Sequence, residues 1–363
     1  MKEHLATLVE EYSVLNAPTG YEQPVIRRLR DHLRPLSDEF QIGVNGNVYA
    51  RKQGRRPGLT LMIAAHMDEV GCVVRDIDPS GMIRFHKVGN FGDSWLAGAR
   101  VRIKEIPGVI GIKSAHLMSD EEKRTALPHH SLYIDVGARN ADEAEAMGIG
   151  IGNPIAFDVA FERFHNRDYL CGKALDNRVA CAVLVALMER LSDGDFPGTV
   201  WAVGTVQEER GLAGARTATH FTKPDWFIAL DIALATDGPE NPPSYKPVRL
   251  GGGVVVDLVD FGETCKLGYY VHPGLKAVAF RTCAEKGIPV QHQTVYGGSF
   301  TDAAGVSREL TGVPSLSLGM PARYVHAPSS VCHLDDVVAC LQLIEDMARR
   351  GVAKKDLDFL QEP

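Results

Sequence analysis

No stretch of this chain is long and apolar enough to span a bilayer. The longest apolar run of note, residues 179–188, holds ten residues between Arg178 and Glu189, about half of the ~20 that a bilayer demands. No secretory leader is expected either: Met1-Lys2-Glu3-His4 puts an acid where a basic region belongs, and no apolar core follows. A cytoplasmic location is the expectation. Basic charge is also in short supply, with 39 Lys and Arg against 46 Asp and Glu and a net charge of −7. Neither nucleic acid nor an anionic membrane is therefore expected as a partner, since both need a basic face. Paired cysteines are absent as well. Cys72, Cys171, Cys181, Cys265, Cys283, Cys332 and Cys340 are odd in number and scattered, with no Cys-x-x-Cys, which suits reduced thiols rather than a disulfide framework or a zinc finger. Gly251-Gly252-Gly253 lacks the Lys-Ser/Thr of a phosphate loop, and no repeat, heptad pattern or low-complexity tract occurs.

What remains is an ordinary globular composition, 45% hydrophobic and 23% charged over 363 residues, enough for two domains or one large domain with an insertion. Leu5, Leu8, Val9 and Tyr12 fall at helical spacing, Ala17-Pro18-Thr19-Gly20 interrupts it, and Val25, Leu29, His32 and Leu33 resume it. Residues 59–65 are then nearly all apolar, as a strand buried on both faces should be. Residues 199–206, 225–230 and 313–318 read alike, with helical patterns such as 177–191 between them. This alternation predicts a three-layer α/β/α domain around a central mixed sheet.

Residues 70–163 break the rhythm with short strand-like pieces at 82–88, 100–104, 109–113, 131–136 and 154–158. One short helix is expected there, capped by Asn140 with Glu143 three residues on and closed by Gly148. The stretch reads as a small β-barrel-like domain inserted into the α/β domain, which is then discontinuous, 1–69 and 164–363.

Five metal-competent positions sit near strand ends or helix starts. His66 can bind a metal while Asp68, two residues on, reaches toward its other ring nitrogen. Asp176 precedes the 177–191 helix; taken alone it reads better as an N-cap. Glu208 and Glu209 could simply open a helix, although adjacent side chains diverge, so one can coordinate while the other faces a bound water. Asp231 closes the strand 225–230 and needs a partner or solvent. His326 lies in the polar loop 319–328. Ligands gather at the carboxyl ends of strands in such sheets, and two His with three carboxylates suffice for two divalent ions when one carboxylate bridges them.

The strings His66-Met67-Asp68-Glu69-Val70-Gly71, Gly172-Lys173-Ala174-Leu175-Asp176-Asn177-Arg178, Val206-Gln207-Glu208-Glu209-Arg210-Gly211-Leu212-Ala213-Gly214-Ala215, Asp231-Ile232-Ala233 and Arg323-Tyr324-Val325-His326 resemble, in order and spacing, one family. It is the dinuclear metallo-aminopeptidases that include glutamyl, deblocking and tetrahedral aminopeptidases, some of them labelled endoglucanase. The likeness extends to Pro18-Thr19-Gly20-Tyr21-Glu22 and to His116-Leu117-Met118-Ser119. It implies a zinc-peptidase-like catalytic domain, with the insert 70–163 serving dimerisation. It also implies His66 and Asp231 on one metal, Glu209 and His326 on the other, Asp176 bridging, Glu208 as general base and Asp68 as the partner of His66. Two divalent ions are implied, Zn²⁺ or Co²⁺ ahead of Mn²⁺, with a peptide substrate and a homo-oligomer built from dimers up to a dodecamer. Two strings depart from the family. Gly297-Gly298-Ser299-Phe300-Thr301-Asp302-Ala303 stands where Gly-Gly-Thr-Asp-Ala is usual, adding the bulk of Phe300, and Ile232-Ala233-Leu234-Ala235-Thr236-Asp237 is also altered.

The expectation is thus a two-metal aminopeptidase. Its rivals are an N-acyl or amidase-type hydrolase on the same ions, a glycosidase, which needs two carboxyl groups and no metal, and a metal-binding assembly protein without turnover. His116, His129, His130, His165, His272, His292 and His333 lack ligand spacing. The string His333-Leu334-Asp335-Asp336 is expected to cap the last helix through Asp335 or Asp336.

Overall fold

The computed structural model describes residues 1–239, 248–262, 266–296 and 300–360; Cys265 and Gly297-Gly298-Ser299 lie outside them. A twelve-stranded mixed sheet forms the centre. Four parallel strands make its middle, in the spatial order Pro197–Thr205, Arg56–His66, Trp226–Leu234 and Ser315–Arg323. Antiparallel strands extend both sides: Val48–Gln53 and Glu39–Ile42 on one, Ser330–His333, Tyr169–Gly172 and Glu162–Arg163 on the other. Val254–Gly262 branches from Ser315–Arg323 and pairs with Leu267–Tyr270 and Val290–Tyr296.

The middle strands are apolar on both faces because helices cover both. Leu61, Ile63 and Ala65 pack into the core shared with helix Leu175–Arg190, while Met62 and Ala64 meet Ala215, Ala218 and Ala303 from the opposite layer. The run from Val179 to Met188 is buried all round. It is enclosed by the sheet and by helices Lys2–Ser13 and Leu334–Arg350, which accounts for a helix with no polar face. Among the described residues no helix is long and apolar enough to cross a membrane.

A separate closed barrel is built from Gly71–Ile77, Ile83–Val88, Tyr133–Asp135, Ile106–Gly111, Arg100–Ile103 and Pro154–Phe157, in that order around the ring. It has its own core, including Val74, Phe85, Ile103, Ile110, Ile134 and Phe157. Asn140 caps helix Ala141–Ala146 by accepting from the Glu143 amide at 2.9 Å. The barrel strand Gly71–Ile77 has no counterpart in the sequence reading. It follows the His66 motif almost at once, and glycine at 71 permits the close approach of strand Pro154–Phe157, because a Cβ there would stand 2.7 Å from the Ile155 carbonyl oxygen.

Several boundaries differ from expectation. The strand expected to end before Asp231 runs on to Leu234, and the loop expected from Gly319 is strand as far as Arg323. Each pairs with the other up to Leu234 and Ala322, so cross-strand bonding carries both past the point where their apolar runs stop. The last helix is capped by the His333 ring, which accepts from the Asp335 amide at 3.2 Å. Asp336 instead accepts from the Gly251 and Gly253 amides at 2.8 and 2.6 Å.

Candidate metal centre

Strand register brings the first ligand candidates together. His66 lies opposite Thr205, and Ala65 lies opposite Leu230, which sets Asp231 level with His66 at one end of the parallel strands. Asp176 arrives from the start of helix Leu175–Arg190, where it and Asn177 leave the helical conformation. It caps nothing: its two oxygens lie 3.1 Å from His66 Nε2 and 3.2 Å from His326 Nε2. Asp231 Oδ1 is 3.7 Å from the same His66 nitrogen, and Glu209 Oε1 is 3.2 Å from His326 Nε2. Two triads result, His66–Asp176–Asp231 and Asp176–Glu209–His326, each with ligand atoms within 4.8 Å of one another. Asp176 belongs to both.

Asp68 is wholly buried and holds the neighbouring loop in place. It accepts from the Thr19 hydroxyl at 2.8 Å and from the Glu208 and Glu209 amides at 3.1 and 3.2 Å. Its Oδ1 faces His66 Nδ1 across 3.4 Å. Glu22 adds a second tether, accepting from the Gln207 amide at 3.1 Å. Glu208 and Glu209 therefore sit in a short 3₁₀ turn, and the helix they were expected to open begins only at Ala213. Ala174, Gln207, Tyr324 and His326 all take positive φ, from 51° to 64°. Such backbone costs about 1–2 kcal/mol per non-glycine residue and gathers at functional sites. These four of the nine such non-glycine residues among those described are site residues or lie within two positions of one.

His326 is oriented from the barrel. Its Nδ1 donates to the Asn90 carbonyl at 2.6 Å, leaving Nε2 free to face Asp176 and Glu209, the arrangement by which an outer partner fixes the tautomer of a ligand histidine. Nothing in the sequence pointed to Asn90, because the contact joins residues 236 apart. Thr19, Glu22 and Asp302 were quoted in the family strings without a role. Asp302 is buried, accepts from the Thr205 hydroxyl at 2.7 Å, and has its second oxygen unpaired.

The electrostatics favour a cation. Six carboxyl groups, Asp68, Asp176, Glu208, Glu209, Asp231 and Asp302, are gathered around two imidazoles, and no Lys or Arg is among the described residues lining the cavity of about 190 Å³. Burial raises Glu208 well above the usual carboxylate range and raises Asp231 to about 6. Burial alone would lower His326, but Glu209 and Asp176 outweigh it and push the ring up to about 12. Asp176 is lowered in spite of burial, because both imidazoles face it. One Glu208 oxygen is buried without a partner. The donor set of imidazole and carboxylate suits Zn²⁺, Co²⁺ or Mn²⁺, and a divalent ion would replace the imidazolium protons as counter-charge.

A second buried cluster lies beside the first. Glu69 receives Lys173 Nζ at 2.7 Å on both oxygens, Arg178 at 3.3 Å and the Ala17 amide at 2.8 Å. It ties the segment 66–71 to the segment 172–178 and to Ala17 without contributing a ligand.

A family model described as M42 glutamyl aminopeptidase matches residues 46–343. The lysyl aminopeptidase of Pyrococcus furiosus is 30% identical over 94% of this chain and 95% of its own. A solved aminopeptidase of the archaeon Desulfurococcus kamchatkensis superposes with a TM-score of 0.91 at 30% identity, covering 100% of this chain and 99% of that one. The TET1 peptidase of Pyrococcus horikoshii, described as able to assemble into a tetrahedron or a large octahedral shell, reaches a TM-score of 0.83 at 26% identity over 95% and 99% of the two chains. This chain belongs to the M42 glutamyl aminopeptidase family and is a metal-dependent aminopeptidase, a hydrolase of peptide bonds.

Proposed function

We propose that the chain releases N-terminal residues from short peptides with two divalent ions, His66 and Asp231 holding one, Glu209 and His326 the other, and Asp176 shared. The observation that carries this reading is the sharing itself: one carboxylate spans two triads of ligand atoms. When bound, the ions supply an activated water and polarise the scissile carbonyl. Glu208, with an unpaired buried oxygen and a raised proton affinity, takes the proton from the attacking water and delivers it to the departing amine. Asp68 fixes the Glu208 and Glu209 backbone and faces the far nitrogen of His66, which makes it a positioning residue. Zn²⁺ or Co²⁺ fits the mixed nitrogen and oxygen ligands, with Mn²⁺ the next choice.

The barrel, taken with its flanks as 70–163, is proposed to mediate dimers that build toward a dodecamer; the assembly described for the Pyrococcus horikoshii neighbour supports a homo-oligomer. A reducing, cytoplasmic setting is in keeping with free Cys72, Cys171, Cys181, Cys283, Cys332 and Cys340.

Protein stripped with chelator and reloaded with Zn²⁺ or Co²⁺ tests the reading on a panel of aminoacyl-p-nitroanilides. Activity should be absent after stripping and return with metal, and Glu208→Gln should bind metal without turnover. Equal inactivity of stripped and loaded protein across a broad peptide panel would overturn it.

A further inference from the structure

The cavity beside the metal centre divides by chemistry. His66, Asp176, Glu208, Glu209, Asp231 and His326 make up its ionisable lining. The remaining lining residues are Ile232, Leu234, Phe300 and Val325, with Asn90 and Thr301 as neutral polar groups. Ile232 and Leu234 lie two apart at the end of strand Trp226–Leu234 and share one of its faces. Phe300 is the residue by which this chain departs from the family string, and it reaches the same cavity.

We infer that Phe300, Ile232, Leu234 and Val325 form the subsite for the side chain of the substrate's first residue, and that this subsite takes an uncharged aliphatic side chain such as Leu or Met. The inference rests on the aminopeptidase reading and specifies its substrate. Among the described residues lining the cavity, a Glu or Asp side chain finds no Lys or Arg to pair with. Arg323, on the strand that leads to His326, is already engaged by both oxygens of Asp237 at 2.7 and 2.6 Å. A Lys or Arg side chain would lie against four apolar walls with its charge unmatched, because the carboxylates serve the metal end. Burying an unpaired charge is far costlier than burying a methylene. Size sets a limit: the whole cavity, metal end included, measures about 190 Å³, against roughly 150 Å³ for an apolar cavity that accepts one benzene ring, so the apolar part holds no more than a single side chain. The preference would differ from the acidic and basic ones in the names of the family and of its Pyrococcus furiosus member.

Two measurements on the metal-loaded full-length protein separate this inference from the one beneath it. In the first, kcat/KM is compared for p-nitroanilides of Leu, Met, Ala, Glu and Lys. Leu and Met should exceed Glu and Lys by about tenfold or more, and Phe300→Ala should narrow the Leu-to-Ala ratio by roughly tenfold while metal content stays unchanged. In the second, binding of Leu, Glu and Lys hydroxamates to metal-loaded Glu208→Gln is measured by calorimetry, which needs no turnover. Turnover with Glu or Lys equal to Leu, or no change in the Leu-to-Ala ratio for Phe300→Ala, overturns the subsite and leaves the aminopeptidase standing. Tighter binding of the Leu hydroxamate with no turnover by wild-type protein supports the subsite and overturns the aminopeptidase.

Discussion

Asp68 and Glu69 are adjacent in the chain, both buried, and they belong to charge clusters of opposite kinds. Around Glu69 one carboxylate meets two cations, Lys173 and Arg178; Lys173 also donates to the Leu15 carbonyl and Arg178 to the Ala17 carbonyl, while two further Arg178 nitrogens are buried without a partner. Around Asp68 six carboxyl groups meet two imidazoles. Asp176 and Arg178 divide in the same way two residues apart. In one cluster the carboxylate is more than countered by cations already present, which ties the chain segments together; the other is left acidic, as a cation site would be. The strings that identify the family thus carry two messages at once, and only the surrounding charges tell them apart.

The largest effect expected falls on the acidic side. Glu208→Gln should lower kcat by roughly 10²–10⁴-fold with full metal content by elemental analysis; loss of metal in parallel would make Glu208 a ligand instead. On the Glu69 side, Glu69→Gln strands two buried cations, and urea unfolding should show a loss of about 3–5 kcal/mol. Its folded fraction should still bind metal normally. Metal loss with unchanged stability would erase the distinction between the clusters.

Asp257 offers a test away from both. It is buried on strand Val254–Gly262, accepts from Gln293 at 2.6 Å and Ser317 at 2.8 Å, and is pushed up to about 8, first by burial and then by Asp260. The folded state therefore holds this proton more tightly than the unfolded chain does. The stability this contributes is complete below pH ~4 and is lost as pH rises to about 8. Relative to wild type, Asp257→Asn should gain about 3 kcal/mol in unfolding free energy between pH 6 and pH 9. A pH-independent difference would mean that Asp257 is already ionised at pH 6. The smallest effect is that of Thr19→Val, which removes one hydrogen bond to Asp68 and should cost about 1 kcal/mol by thermal unfolding. A cost no greater than that of an exposed Thr→Val change would detach Thr19 from the site.

The layers, the parallel core and the barrel were legible because apolar periodicity records which faces are covered. His66, Asp231 and His326 were legible as ends of apolar runs, although the strands themselves continue through Asp231 and toward His326. Asp176 was not separable from a cap by sequence, since a carboxylate before a helix fits both roles; the imidazoles that face it come from residues 66 and 326. Asn90 and Thr19 were invisible as supports, because a backbone carbonyl has no sequence signature and a threonine next to Pro18 and Gly20 reads as a turn. The ion pairs of Glu69 with Lys173 and Arg178 had no signature in the sequence. Their pairing spans more than a hundred positions, and no local pattern announces it.

Counting bound ions most directly tests the claim that one carboxylate organises two metal sites. Chelator-stripped wild type and Asp176→Ala would each be titrated with Zn²⁺ by calorimetry, with elemental analysis of the saturated proteins. The account predicts two ions per wild-type chain and the loss of tight binding at both sites in Asp176→Ala. A single ion in wild type, or two ions kept by the variant, would contradict it.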